Sequence, residues 1–193
     1  MNFIKESLLE SAELKRKVAE TMADGIEKAI EAICSALKSG RKVLLMGNGG
    51  SAADAQHIAG ELVGRFKKER KAIPAISLST DTSILTAIGN DYGFEKVFER
   101  QIEALGEKGD VVIGISTSGN SPNVVKALET ANKMKLVTIG LTGKDGGAIA
   151  GMVDYCLNVS SNSTPRIQEV HITAGHVICE MVDFKLFQRP DTK

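Results

Sequence analysis

The stretch Val43-Leu-Leu-Met-Gly-Asn-Gly-Gly-Ser-Ala-Ala-Asp-Ala-Gln-His-Ile-Ala-Gly-Glu61 decides how this chain is read. A short apolar run, Val43–Met46, gives way to the glycine loop Gly47-Asn-Gly-Gly-Ser51, and a helical stretch follows from Ser51 to Arg65. That order predicts a strand, a tight turn and a crossover helix. Glycine at such a junction permits positive φ and lets the backbone approach a ligand closely. The new helix offers unpaired N–H groups and the positive end of its dipole, a setting in which anions bind. The loop is neither a Walker loop, which needs a Gly-Lys-Ser/Thr ending, nor a complete G-x-G-x-x-G fingerprint. On the helix, His57 and Glu61 are four residues apart, about 40° around the axis, so both side chains reach one point. An imidazole and a carboxylate so placed suit a metal ion or a proton-transfer site beside an anionic ligand.

Outward from this stretch, the rhythm of short apolar runs and helical stretches repeats. The runs are Val43–Met46, Ala75–Leu78, Val111–Ile115, Leu136–Leu141 and Tyr155–Val159. Between them lie Ser51–Arg65, a helical stretch around Asp81–Ala104, Ser121–Lys133 and a short turn around Gly146–Ala150, with a last helix from about Pro165 to Phe187. Such alternation indicates an open α/β sheet of parallel strands with crossover helices, whose ligands bind at the carboxyl ends of the strands. Residues 1–39 are different. They carry no proline, and apolar residues recur at Ile4, Leu8, Leu14, Val18, Met22, Ile26, Ile30, Ile33 and Leu37, with Gly40 as a stop signal. This extension has to bury its stripe over the sheet or against a second chain. No linker, repeat or low-complexity segment divides the 193 residues, so one domain is expected: a helical extension (1–39) and an α/β core (40–193).

Composition narrows the function classes. The 24 basic residues balance 24 acidic ones, which leaves no electrostatic footprint for nucleic acid. The one basic run, Lys67-Lys68-Glu69-Arg70-Lys71, reads as a solvated helix end or loop. Cys34, Cys156 and Cys179 are scattered through apolar stretches and read as buried, reduced thiols, not a disulfide frame or zinc site. No signal peptide and no membrane span is expected, which makes the cytoplasm the default compartment.

A second loop, Ile115-Ser-Thr-Ser-Gly-Asn-Ser-Pro122, supplies four hydroxyls within six residues, then a proline suited to a first helical position. Asn120 or Ser121 can cap the helix, but capping leaves Ser116, Thr117 and Ser118 unexplained. Hydroxyls and backbone N–H groups clustered at a helix N-terminus form a neutral cradle for a small phosphoester. Gly89-Asn-Asp-Tyr-Gly93 reads as a turn that could also offer an amide and a carboxylate to sugar hydroxyls. On the last helix, His171 and His176 are about 140° apart and cannot share a metal from one face. Periodicity slightly favours Glu169 over Gln168 as the companion of His176.

Taken together, Gly47-Asn-Gly-Gly-Ser51, His57-x-x-x-Glu61, Gly89-Asn-Asp91, Gly114-Ile-Ser-Thr-Ser-Gly-Asn-Ser121, Leu141-Thr-Gly-Lys-Asp-Gly-Gly147 and Arg166-Ile-Gln-Glu-x-His171 resemble the sugar isomerase (SIS) domain proteins. More narrowly, they resemble the phosphoheptose isomerases. The resemblance implies a single SIS domain with a flavodoxin-like five-stranded parallel sheet, and a homotetramer with active sites at subunit interfaces. It implies an aldose–ketose isomerase that interconverts sedoheptulose 7-phosphate and D-glycero-D-manno-heptose 7-phosphate, the first step towards activated heptose for lipopolysaccharide core or other surface glycans. Carried onto this sequence, the zinc ligands would be His57, Glu61, Gln168 and His176. Ser116, Thr117, Ser118 and Ser121 would hold phosphate, while Asn48, Gly49, Gly50, Asn90 and Asp91 would contact the sugar. Glu61 would be the proton shuttle and His176 its acid/base partner. Gln168 replaces Glu169 on these grounds alone. Pro165 stands where some relatives carry an acidic residue. Two other readings remain: a non-catalytic SIS tetramer that binds the replication initiator, whose kind lacks counterparts of Glu61 and His176, and an isomerase of another sugar phosphate such as arabinose 5-phosphate.

Overall fold

The computed structural model describes residues 2–187. Helix α1 (Phe3–Lys38) starts where the Asn2 side chain accepts a hydrogen bond from the Lys5 N–H. It ends at Ser39, followed by Gly40 with φ +74°, a left-handed conformation that suits glycine. The chain continues through β1 (Val43–Gly47), α2 (Gly50–Val63), β2 (Ala75–Ser77), α3 (Thr82–Tyr92), a 3₁₀ turn (Phe94–Lys96) and α4 (Glu99–Leu105). Then come β3 (Val111–Ser116), α5 (Pro122–Lys133), β4 (Val137–Gly143), α6 (Gly147–Ala150), β5 (Tyr155–Val159) and α7 (Thr164–Phe187).

All strand pairings are parallel, in the order β2-β1-β3-β4-β5. The fold is the expected α/β sheet, with β1 and β3 buried along their whole length because helices cover both faces. One face packs on α1, α2 and α7 through Ile33, Ile58, Leu62, Ile178 and Val182. The other packs on the helices between β2 and β5, through Phe98, Ile102, Leu128 and Ile149. The chain leaves β1 towards one edge and β3 towards the other, so the strand order reverses between them. Ligand crevices in open α/β sheets form at such a switch point. Here the glycine loop and the hydroxyl loop follow β1 and β3 directly, with Gly47 in register with Ile115.

Several expectations need correction. The stretch Asp81–Ala104 is not one helix: Asp81 caps α3, but Gly93 adopts φ +91°, which no right-handed helix accommodates. Gly89–Tyr92 is not a turn but the last turn of α3; the reversal falls on Gly93 alone. Cys34 and Cys179 are buried as expected, whereas Cys156 is only half-buried; all three are free thiols. In the basic run, Lys67, Lys68, Glu69 and Lys71 are exposed, but the Arg70 side chain is 2% exposed and paired with Asp183. A charged run in the sequence cannot reveal that one member turns inward to a carboxylate 113 residues away. Among the described residues, no helix is long and apolar enough to cross a membrane.

Candidate active site

Helix α2 opens at Gly49, with φ +55°, and brings His57 and Glu61 onto one face as their spacing predicts. The His57 Nε2 lies 3.2 Å from Glu61 Oε1. From α7, His176 meets the same point, its Nε2 3.2 Å from that of His57. The two rings stand edge to face, with centroids 4.9 Å apart, and Phe66 packs beside His176. Potential ligand atoms of His57, Glu61 and His176 all lie within 4.8 Å of one another. Two imidazole nitrogens and a carboxylate oxygen converge, yet a proton between the rings can serve only one contact. Such a set of nitrogen and oxygen donors fits a divalent cation of the zinc type.

Gln168 and Glu169 separate cleanly. Gln168 lies over the first turn of α2: a Cβ added at Gly50 would stand 2.5 Å from its Nε2. Glu169 instead turns to Arg166, which also binds Ser7 and Glu10 of α1. Glu169 is thus engaged by Arg166, while Gln168 faces the start of α2.

His171 is 1% exposed and donates from Nε2 to the Thr142 carbonyl at 2.9 Å, tying α7 to β4. Burial depresses it to about 4, so it is neutral near pH 7. Asp54, one turn before His57, has a buried Oδ2 without a partner. Burial pushes its carboxyl up to about 6, against the pull of nearby His57.

In the hydroxyl loop the serines bond to one another. Ser121 occupies the N-cap of α5, but its hydroxyl makes no capping bond. It lies 2.8 Å from the Ser116 hydroxyl, which is also 3.4 Å from that of Ser118. Thr117, half-buried, sits between these serines in the chain. Behind the loop, Gly119 takes φ +66° and touches the backbone of Gly146; a Cβ there would lie 2.0 Å from the Gly146 carbonyl oxygen. Asn120 Oδ1 accepts from the Ala148 N–H, and the Gly119 carbonyl from that of Ile149. The Leu141–Gly147 segment therefore braces the hydroxyl loop, a role its sequence did not disclose. Asn123 was also missed. It exchanges two amide hydrogen bonds with Asn48, at 2.8 and 2.9 Å, locking the glycine loop to α5 across the switch point. Asn90 and Asp91 are exposed on the last turn of α3 and bonded to each other at 2.7 Å.

The SIS domain family pattern matches residues 8–143. The chain is 58% identical to the phosphoheptose isomerase of Aquifex aeolicus over 186 residues, which cover 96% of this chain and 97% of that one. The chain belongs to the phosphoheptose isomerase family. It is also 59% identical to the Aliarcobacter butzleri phosphoheptose isomerase over 170 residues, 88% of this chain and 90% of the relative. The solved phosphoheptose isomerase from Neisseria gonorrhoeae superposes with a TM-score of 0.90 at 45% identity, over 94% of this chain and 97% of that one. Family and fold thus agree from α1 to α7.

Proposed function

We propose that this chain is an aldose–ketose isomerase that interconverts D-sedoheptulose 7-phosphate and D-glycero-D-manno-heptose 7-phosphate. The observation that carries the reading is the convergence of His57, Glu61 and His176 from two helices, in a fold whose second loop gathers the hydroxyls of Ser116, Ser118 and Ser121. Its relatives are phosphoheptose isomerases, which points to a seven-carbon phosphosugar. Counterparts of Glu61 and His176 are what a non-catalytic SIS scaffold lacks, and both are here in one cluster.

Isomerisation moves one proton between C1 and C2 and another between their oxygens, with no net redox change. Glu61 takes the C1 proton of the ketose, leaving an enediol, and returns it at C2 to give the aldose. His176 carries the proton between O1 and O2. Ser116, Thr117, Ser118 and Ser121 hold the phosphate far from the reacting carbons. Asn48, Gly49, Gly50, Asn90, Asp91 and Gln168 orient the sugar. His57, Glu61, Gln168 and His176 would hold zinc, which supplies Lewis-acid polarisation of the carbonyl when bound. The chain acts as one SIS domain, and its free thiols suit the cytoplasm. Residues 1–39 assemble it into a homotetramer with sites at subunit interfaces.

Purified protein incubated with a panel of five- to seven-carbon ketose phosphates, followed by NMR, tests the assignment. Turnover should be confined to, or far fastest with, sedoheptulose 7-phosphate. Faster turnover of arabinose 5-phosphate's ketose partner, or none of any substrate, would reject it.

A further inference from the structure

Arg70 sits in the loop between α2 and β2, outside every motif that points to the site, and it is the most heavily bonded side chain near it. Its Nη2 donates to the Glu61 carbonyl oxygen at 2.8 Å, and its Nη1 to that of Leu62 at 2.8 Å. Longer bonds of 3.2 Å from Nη1 reach the carbonyls of Gly64 and Lys71. Its Nε donates to Asp183 Oδ1 at 2.8 Å. The guanidinium therefore caps the last turn of α2, whose carbonyls have no partner within the helix. Asp183 lies seven residues after His176, within about 20° of it around α7. One rigid planar group thus joins the end of the helix carrying His57 and Glu61 to the helix carrying His176.

A helix cap alone would not need a buried charge. The Arg70 and Asp183 side chains are 2% and 8% exposed, and such pairs are often replaceable by apolar residues without loss of stability. What apolar residues cannot supply is the fork that fixes the backbone of residue 61 itself. Lysine cannot reproduce it either, since its ammonium is a point charge on a flexible stem. Lys67 and Glu180, 2.6 Å apart, make a second tie between the same loop and α7, but both are exposed.

We infer that Arg70 is a positioning residue for the isomerase site: through Asp183 and the Glu61 carbonyl it sets the spacing of Glu61 and His57 from His176. The inference rests on the roles proposed above for those three side chains. It touches neither the phosphate loop nor the sugar contacts, so substrate binding should be spared.

The test compares Arg70→Lys with the double variant Arg70→Met/Asp183→Leu, which removes both charges and so leaves no unpaired carboxylate in the interior. Zinc affinity is measured by competition with a chromophoric chelator at 25 °C, beside kcat and KM. Outer partners of metal ligands are typically worth about 10–100-fold in affinity or activity. Both variants should lose zinc affinity and kcat in that range while KM stays within about twofold. The double variant should do so with a melting temperature close to that of the parent. A variant that merely loosened the fold would melt earlier with zinc affinity and kcat of the folded protein unchanged, and that result overturns the inference. Glu61→Gln, assayed in parallel, keeps the two readings apart. If Glu61→Gln is inactive and the Arg70 variants are unaffected, only the inference about Arg70 fails. If Glu61→Gln turns over normally, the mechanism itself falls, and the kinetic half of this inference goes with it.

Discussion

Glu61→Gln preserves side-chain volume and removes the base. Turnover should fall about 10²–10⁴-fold with folding and substrate binding retained, and steady-state kinetics on the purified variant would check it. Near-parental activity would end the proposed mechanism. The two histidines of α7 should part company in the same experiment. His176→Asn should abolish isomerisation and lower bound zinc, whereas His171→Asn should leave measurable turnover, because His171 faces β4 and is bonded to Thr142. His171 also gives the fold a pH dependence. Its folded value near 4 lies below its ordinary 6.5, so between these the unfolded chain binds a proton that the folded chain refuses. Its contribution, about 3 kcal/mol, is intact above pH 6.5 and is lost as pH falls towards 4. Asp54 acts oppositely. Folded, its carboxyl is held up to about 6 against an ordinary 3.8, so it adds stability as pH falls through that window. Urea unfolding of the zinc-free protein between pH 7 and pH 4 should therefore show a steeper decline in Asp54→Asn than in the parent. An unchanged slope would contradict the burial of that carboxyl.

The two loops at the switch point are separable elements. Ser118→Ala with Ser121→Ala should raise KM more than it lowers kcat, since phosphate contacts lie remote from C1 and C2. An unchanged KM in phosphate-free buffer would reduce the loop to a turn. Gly50→Ala should be selective in another way. Its Cβ would displace only the amide end of Gln168, so melting should change little while zinc affinity and kcat fall. The alternation of strands and helices was legible because β1 and β3 are uninterrupted apolar runs and β5 keeps its predicted bounds. The His57–Glu61 pair was legible because helical spacing is local. What stayed hidden is contact between distant segments: Asn48 with Asn123, Gly119 with Gly146, and Arg70 with Asp183. Each joins a loop to a segment far along the chain, and no periodicity encodes that. Gln168 as a companion of His176 rests on the family resemblance, since helical periodicity points to Glu169 instead.

At the scale of the molecule, α1 leaves Phe3, Ile4, Leu8 and Leu9 exposed, although its later turns pack on α7 and β5. Further along α1 an apolar groove of about 360 Å³ runs between α1 and α7, lined by Val18, Ile26, Val170, Val177 and Met181. A second copy of the chain is the occupant that the tetramer reading requires. Removing residues 1–39 should bare the face of α7 and the sheet that α1 covers and give aggregated or dissociated protein by light scattering; a soluble, active tetramer would refute the assignment.

The contact between His57 and His176 spans 119 residues of chain. During synthesis, at about 5–20 residues per second, α2 would wait roughly 6–24 s for its partner helix to be made. Over that interval the nascent chain already holds an imidazole and a carboxylate on one helix but lacks the His176 imidazole that completes the cluster. Under the proposed zinc site, metal capture would be deferred until α7 docks, so loading would report that both helices have folded together.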